Sequence, residues 1–302
     1  MTKALLCKTG VMVLVVLTTW VMAPFSSWAA GLAATNKVTI RTKGSDTMHA
    51  LSRLWAENYQ KEYPAVTITT DGSGSGSGIA ALINGHVDIA LSSRAMRPQE
   101  IRMIRKRSRQ PQKEYVVGWD ALSFVVHRDN PLMGLPIEKL IQLYTRGNEL
   151  KNWRDLGVTV PGCDTDPIVL GSRKNNSGTY HFFLDVLSRA SQKRQHLVQQ
   201  LVNQEHSSNM ISWIAQSPCA LGYSGMAHVT ADVKTLCLET GPATCLYPTA
   251  ENIRNRGYPL IRPLYLYLLD DSSAAIQHYV DWIRGPAGQA IVQQVGFMTI
   301  TE

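Results

Sequence analysis

Three segments pair glycine with hydroxyl side chains where an apolar β-like run gives way to a helical one: Gly44-Ser45-Asp46-Thr47, the run Gly72 to Gly78, and Asn175-Asn176-Ser177-Gly178-Thr179. The first turn of a helix leaves backbone N–H groups without intrahelical acceptors, and its aligned peptide dipoles put partial positive charge there. Serine and threonine hydroxyls add neutral donors, so such a junction suits an oxyanion. Ordinary N-capping explains any one of the three, because Ser, Thr and Asp favour that position anyway. Three in one chain, with Arg173 four residues before Ser177, point to a shared anion site. Arg173 supplies a two-pronged donor of fixed charge; a surface salt bridge is its competing reading. Hydrogen bonds to a charged group contribute about 1.5–3 kcal/mol each, and micromolar affinity needs about 8 kcal/mol. One arginine and several hydroxyl and N–H donors reach that.

Enzyme chemistry finds less support. The Gly72–Gly78 run is no P-loop, since no G-K-[ST] follows, and its glycine spacing fails the dinucleotide fingerprint after Gly76. No G-x-S-x-G elbow is present. The eight histidines include no H-E-x-x-H or comparable ligand pair, so neither a metal cluster nor an activated nucleophile is expected.

The elements that would position these loops read as an α/β fold. Lys37–Arg41 alternates as a strand, and Met48, Leu51, Leu54, Trp55 and Tyr59 mark an amphipathic helix capped by the Ser/Asp/Thr cluster. Val66–Thr70 is a second strand, Ile79–Asn84 a second helix and Val87–Leu91 a third strand, a series that implies a mostly parallel sheet. Tyr115–His127 reads as a long apolar strand suited to crossing between lobes. Beyond it come a helix over 136–143, a turn over 152–156, a strand over 167–171, a helix rich in Tyr180, Phe182, Phe183 and Leu187, strands over 220–224 and 263–269, and a terminal helix over 276–295. Arg102, Arg105, Lys106, Arg107 and Arg109 form a solvated helix face rather than a nucleic-acid patch.

Lys3 and Lys8, the apolar run Val11–Val21 and the small residues around Ala29-Ala30 have the layout of a signal peptide over residues 1–30; a retained anchor is the alternative. An exported, soluble protein of about 270 residues follows, large enough for one or two cores. Loss of Lys3 and Lys8 takes the net charge from +7 to +5, which suits an anionic ligand. Cys163, Cys219, Cys237 and Cys245 then remain, an even number in an oxidising compartment. Cys237 and Cys245 bracket a Gly-Pro turn and are expected to pair, with Cys163–Cys219 as the second bridge, although four cysteines allow three connectivities. Their spacing does not fit zinc.

Over nearly the whole mature length the sequence resembles the phosphate-binding proteins that feed bacterial ABC importers. The resemblance rests on G-S-D-T, D-G-S-G-S-G-S-G-I-A-A-L-I-N-G, V-D-I-A-L-S-S-R, G-S-R-K-N-N-S-G-T-Y, A-L-G-Y-S-G, Y-P-L-I-R-P-L-Y and G-P-A-G-Q-A-I-V-Q-Q-V-G-F. It implies a periplasmic, monomeric protein of two hinged α/β lobes joined by two crossing strands, lobe 1 being 35–122 with 264–302 and lobe 2 being 123–263. Phosphate would lie between them on Ser45, Asp46, Thr47, Ser75 and Ser93 of one lobe and Arg173, Ser177, Gly178 and Thr179 of the other. No catalysis and no cofactor are implied; the partner is a permease with its ATPase. Some members carry aspartate at the position of Ser93, where it accepts the proton of hydrogen phosphate. Here Asp46 is the candidate acceptor, and Arg94 a second charge in the site or a partner of Asp46. Another oxyanion, such as sulfate, molybdate or an organophosphate, is the alternative ligand, and a secreted phosphatase the alternative class.

Overall fold

The structure, a computed structural model, describes residues 37–300 apart from positions 110, 148, 149, 165, 242 and 243. The signal peptide expected over residues 1–30 lies outside the described residues. Alternation from Val38 builds β1 (Val38–Gly44), with Ile40 fully buried. A 3-10 turn, Asp46–Met48, opens into α1 (His49–Glu62), followed by β2 (Val66–Asp71), α2 (Ser75–Ile83) and β3 (Ile89–Ser92). β2, β1 and β3 lie parallel in that order. Then come α3 (Pro98–Ser108), β4 (Gln112–His127), β5 (Gly134–Pro136), α4 (Ile137–Tyr144), β6 (Val169–Arg173) and α5 (Gly178–Ala190). β7 (Val202–Gln204), α6 (Ser207–Ala215), β8 (Ala220–Gly225), β9 (Val233–Gly241), β10 (Thr244–Leu246) and α7 (Ala250–Arg254) follow. β11 (Ile261–Leu269), α8 (Ala274–Arg284) and α9 (Pro286–Gln294) complete the fold.

β4 belongs to two neighbourhoods. As far as Ala121 it pairs antiparallel with β11, and from Leu122 to Val126 it pairs with β8. β11 also joins β3, and β8 continues through β6 to β7 as a parallel set. Helices cover both faces on either side of this strand. Along β11, Leu264, Leu266 and Leu268 meet Trp55, Tyr59 and Tyr279, whereas the alternate residues Tyr265 and Tyr267 meet Ile79, Leu82 and Ile104. Along β4, Phe124 and Val126 share a core with Tyr144, Phe183 and Tyr223, while Val125 faces Met210 and Ile214. The two-residue period of a strand sends neighbours to opposite faces, so each sheet is buried twice. Each large apolar side chain buried this way contributes about 1.5–3 kcal/mol relative to exposure.

Several elements differ from the sequence expectation. α2 starts at Ser75, four residues before Ile79, so the glycine–serine run is the first turn of a helix. Gly74, at φ 106°, turns the chain into it, in a backbone region open to glycine. The single terminal helix expected over 276–295 is two, α8 and α9, broken at Gly285-Pro286 because proline offers no N–H to the preceding turn. β6 is displaced by two residues from its expected span, and β11 begins two residues earlier than expected. Cys163–Cys219 and Cys237–Cys245 are both bridged, as expected.

Candidate anion-binding site

At the end of β1, Ser45, Asp46 and Thr47 were expected to cap the first helix, yet Ser45 makes no side-chain cap. Elements following β6 draw Asp46 away instead. Its Oδ2 accepts from Arg173 Nη2 (2.9 Å), Ser207 N (2.8 Å) and Ser207 Oγ (2.9 Å), and its Oδ1 pairs with His206 Nδ1 at 2.7 Å. Arg173, at the end of β6, also donates to Ser207 Oγ (2.6 Å) and to the carbonyls of Glu205 (2.8 Å) and Gln204 (3.2 Å). Burial works to raise the Asp46 pKa, but the Arg173 charge and the Ser207 and His206 hydrogen bonds outweigh it, and the group stays below the usual carboxylate range. For Arg173 burial wins, pulling its pKa down against the opposing pull of Asp46. The pair therefore ties the first turn after β1 to β6 and to the start of α6.

A second buried pair stands beside it. Arg262 on β11 donates through Nε (3.0 Å) and Nη2 (2.6 Å) to Asp120 Oδ2 on β4, and both side chains are essentially fully buried. Asp120 Oδ1 accepts from Met226 N at 3.2 Å. Gly225 permits this approach, since a Cβ there would lie 2.6 Å from Asp120 Oδ2. The guanidinium also lies over the Phe182 ring, 5.5 Å from its centroid. Its outer N–H groups reach two hydroxyls, Thr179 Oγ1 at 3.0 Å and Thr47 Oγ1 at 3.3 Å, which are 3.1 Å from each other. Each threonine thus accepts from Arg262. One of their hydrogens lies between them, and the other is left to point elsewhere.

The remaining expected residues converge on the same place. Ser177 caps α5, its Oγ accepting from Thr179 N (3.2 Å) and Tyr180 N (3.4 Å). Gly178 packs against Ser75 Oγ and Ser93 Oγ so closely that no Cβ fits there. Ser75 Oγ accepts from Ser93 N at 3.1 Å and lies 3.4 Å from Ser93 Oγ. Backbone joins the two sides as well: Gly76 N donates to Asn176 O at 3.0 Å, and Asn176 Nδ2 to Ser73 O at 2.8 Å. Ser45 Oγ is buried and has no hydrogen-bond partner among the described residues. A cavity of about 320 Å³ lies alongside, lined by His49, Ser73, His206 and, of the expected residues, Arg173 and Ser177.

One sequence reading is corrected. Arg94 neither pairs with Asp46 nor adds a free charge, because Glu100 holds both of its terminal nitrogens (2.8 and 2.6 Å). Arg173 and Asp46, expected at the anion site, pair with each other and with the start of α6. Asp88 is structural as expected, accepting from Arg41 N at 2.7 Å. The sequence reading missed Arg262, Asp120, His206 and Ser207, and also His228, which donates through Nε2 to the Thr47 carbonyl (3.1 Å) while burial pushes its pKa down. Asp120 was legible in one respect: a charge in the middle of a long apolar strand.

A family model described as a PBP superfamily domain matches residues 30–286. The chain belongs to the PBP superfamily. Like other PBP superfamily chains it has the two-lobed α/β architecture, with helices flanking each sheet. It is similar to the phosphate-binding protein PstS of Pseudomonas aeruginosa, 29% identical over 271 residues, covering 85% of this chain and 81% of the relative. SphX of Synechococcus elongatus is 25% identical over 293 residues, covering 93% and 84%. Among solved structures, a putative phosphate ABC transporter substrate-binding protein with bound phosphate from Clostridium perfringens superposes with a TM-score of 0.75 at 23% identity, covering 87% of this chain and all of the other. An ABC-type phosphate transport receptor from Vibrio cholerae gives 0.67 at 22% identity, covering 86% and 99%. At those identities the structures speak for the fold. No described helix of this PBP superfamily chain is long and apolar enough to cross a membrane.

Proposed function

We propose that the protein captures inorganic phosphate between lobe 1 (35–122 with 264–302) and lobe 2 (123–263) and hands it to an ABC importer, without catalysis. The observation that carries this reading is the meeting of the junctions, Thr47 with Thr179 and Ser75 and Ser93 with Gly178, beside a buried guanidinium–carboxylate pair. That pair and Arg173–Asp46 are each internally balanced, so the anion meets oriented hydroxyls and the N-termini of α2 and α5 rather than a bare cation. The names carried by its relatives give the oxyanion an identity. Ser45, Thr47, Ser75, Ser93, Ser177, Gly178 and Thr179 form the ligand's first contacts. Asp46 and Arg173 close the cleft over it, and Arg262 orients the two threonines. A signal peptide delivers the monomer to the periplasm, where the permease and its ATPase are its partners.

Hydrogen phosphate carries a proton that sulfate lacks, and the Asp46 carboxylate is committed to Arg173, Ser207 and His206. The hydroxyls, which accept as readily as they donate, take that proton. The same lack of a free carboxylate favours a second reading, a receptor for a fully ionised oxyanion. Calorimetric titration with phosphate, sulfate and molybdate separates the two: phosphate should bind in the micromolar range or tighter, and tighter sulfate or molybdate binding overturns the assignment.

A further inference from the structure

The basic stretch after β3 is used by neither the cleft nor the core. α3 carries Arg102, Arg105, Lys106 and Arg107, and Arg109 follows at its C-cap. All five are exposed, and none has an ion-pair or side-chain hydrogen-bond partner among the described residues. At about 100° per residue, Arg105, Arg109, Arg102 and Lys106 fall in that order on one face. Met103, 48% exposed, lies between Lys106 and Arg107 on the same surface. Ile104, on the opposite side, is buried against Tyr267 and its neighbours.

The neighbouring carboxylates do not neutralise this face. Glu100, the one acid on α3, is turned inward and held by Arg94 and by the Arg97 N–H at 2.7 Å. Glu114, on the adjoining strand, acts on Tyr265 and Tyr267. Asp185 of α5 feels Arg97, Arg189 and Arg94. Cations near a helix C-terminus complement its dipole, which accounts for part of the cluster. It does not account for Arg102, a full turn and a half earlier. Arg109 sits at φ 59°, a left-handed position that favours glycine or asparagine, so an arginine there works against the backbone.

We propose that this face docks the protein onto an anionic phospholipid surface. A single helix presents the charges, and residues 102–109 line none of the five principal cavities of the described residues. Long flexible cations along one helix match a planar array of phosphodiesters, with Met103 resting among the headgroups. Each such charge changes partitioning onto the surface about fivefold, an effect confined to the Debye length and weakened by salt. The proposal does not depend on the identity of the ligand in the cleft.

Co-sedimentation of the mature chain with phosphatidylcholine vesicles, with and without phosphatidylglycerol and at low and high salt, tests it. Binding should require phosphatidylglycerol and fall with salt. The triple variant Arg102→Ser, Arg105→Ser, Arg109→Ser should lose on the order of a hundredfold in partitioning. A second triple variant with the same net charge, Arg189→Ser, Lys193→Ser, Arg194→Ser, should keep wild-type binding, and thermal melts check that each variant is folded. If the Arg109 change disturbs the fold, Arg102→Ser with Lys106→Ser replaces it. Equal loss in both triple variants, or equal binding to both kinds of vesicle, overturns the proposal. Retention on a polyglutamate resin without vesicle binding also overturns it, and moves the face to an acidic protein partner.

Discussion

Arg173–Asp46 and Arg262–Asp120 are chemically alike, buried guanidinium–carboxylate pairs that each also engage hydroxyls, Ser207 in the first case and Thr47 and Thr179 in the second, but they connect different parts of the chain. Arg262 and Asp120 sit directly opposite each other on β11 and β4, strands paired from Gln112 to Ala121, so that pair is internal to one ribbon. Asp46 and Arg173 stand 127 residues apart, in the turn after β1 and at the end of β6, and join elements that are not paired with each other. One pair is a fixture and the other, under the proposed function, a clasp. On that proposal the same chemistry serves stability in the first place and closure in the second, because what matters is whether the elements carrying the charges can separate.

The comparison breaks most visibly at the fixture. Arg262→Met should cost about 3–5 kcal/mol in urea unfolding, because Asp120 is left buried without its counter-charge; a cost below about 1 kcal/mol would mean that water reaches the site. At the clasp, Asp46→Asn should weaken phosphate binding about ten- to a hundredfold, the worth of one charged hydrogen bond, with a smaller change in unfolding. Phosphate and sulfate should fall together in calorimetry, whereas a narrowed phosphate preference would assign the ligand's proton to Asp46. Ser45→Ala should lower affinity about fivefold while leaving the unliganded protein no less stable, because it removes a buried hydroxyl that has no partner.

The smallest effect concerns pH. Burial, with Arg97 and Arg94 nearby, pushes His181 down to about 4 from 6.5, so the unfolded chain binds its proton first as pH falls. Stability present above pH 6.5 is then lost progressively toward pH 4. His181→Gln should flatten that part of a Tm-against-pH profile, and an unchanged slope would remove His181 from the account. Asp46 has the same sign at lower pH: its depressed pKa stabilises the clasp above the usual carboxylate range and releases it in acid.

Much of this was legible in the sequence, for definite reasons. Glycine and hydroxyls at strand-to-helix junctions are local signals, and Ser75 and Ser93 do lie against Gly178 while Thr47 meets Thr179. Apolar runs with short periods gave β1, β4, β8 and α5 close to their observed spans. What a junction cannot encode is its long-range partner. Arg173 was read as facing a ligand because its sequence neighbours are donors, but its strongest partner is Asp46. Arg262 escaped notice because its neighbours, Ile261 and Pro263, identify a strand and nothing more. α6 and β9 were missed altogether, as was the break at Gly285-Pro286, where an amphipathic pattern continued through a proline.

Both disulfides lie between residues 163 and 245, and the core built around β1, α1 and β11 contains no cysteine among its described residues. The bridge from Cys163 to Cys219 spans 56 residues, and closing a loop of that size restricts the denatured chain by about 4 kcal/mol in entropy terms. Gly134 packs against both sulfurs of the second bridge, so β5 is tied into the same covalent frame. The molecule is therefore oxidised on one side only. Reduction would therefore weaken the part of the chain between residues 163 and 245 and leave the core around β1, α1 and β11 without a covalent tie to lose.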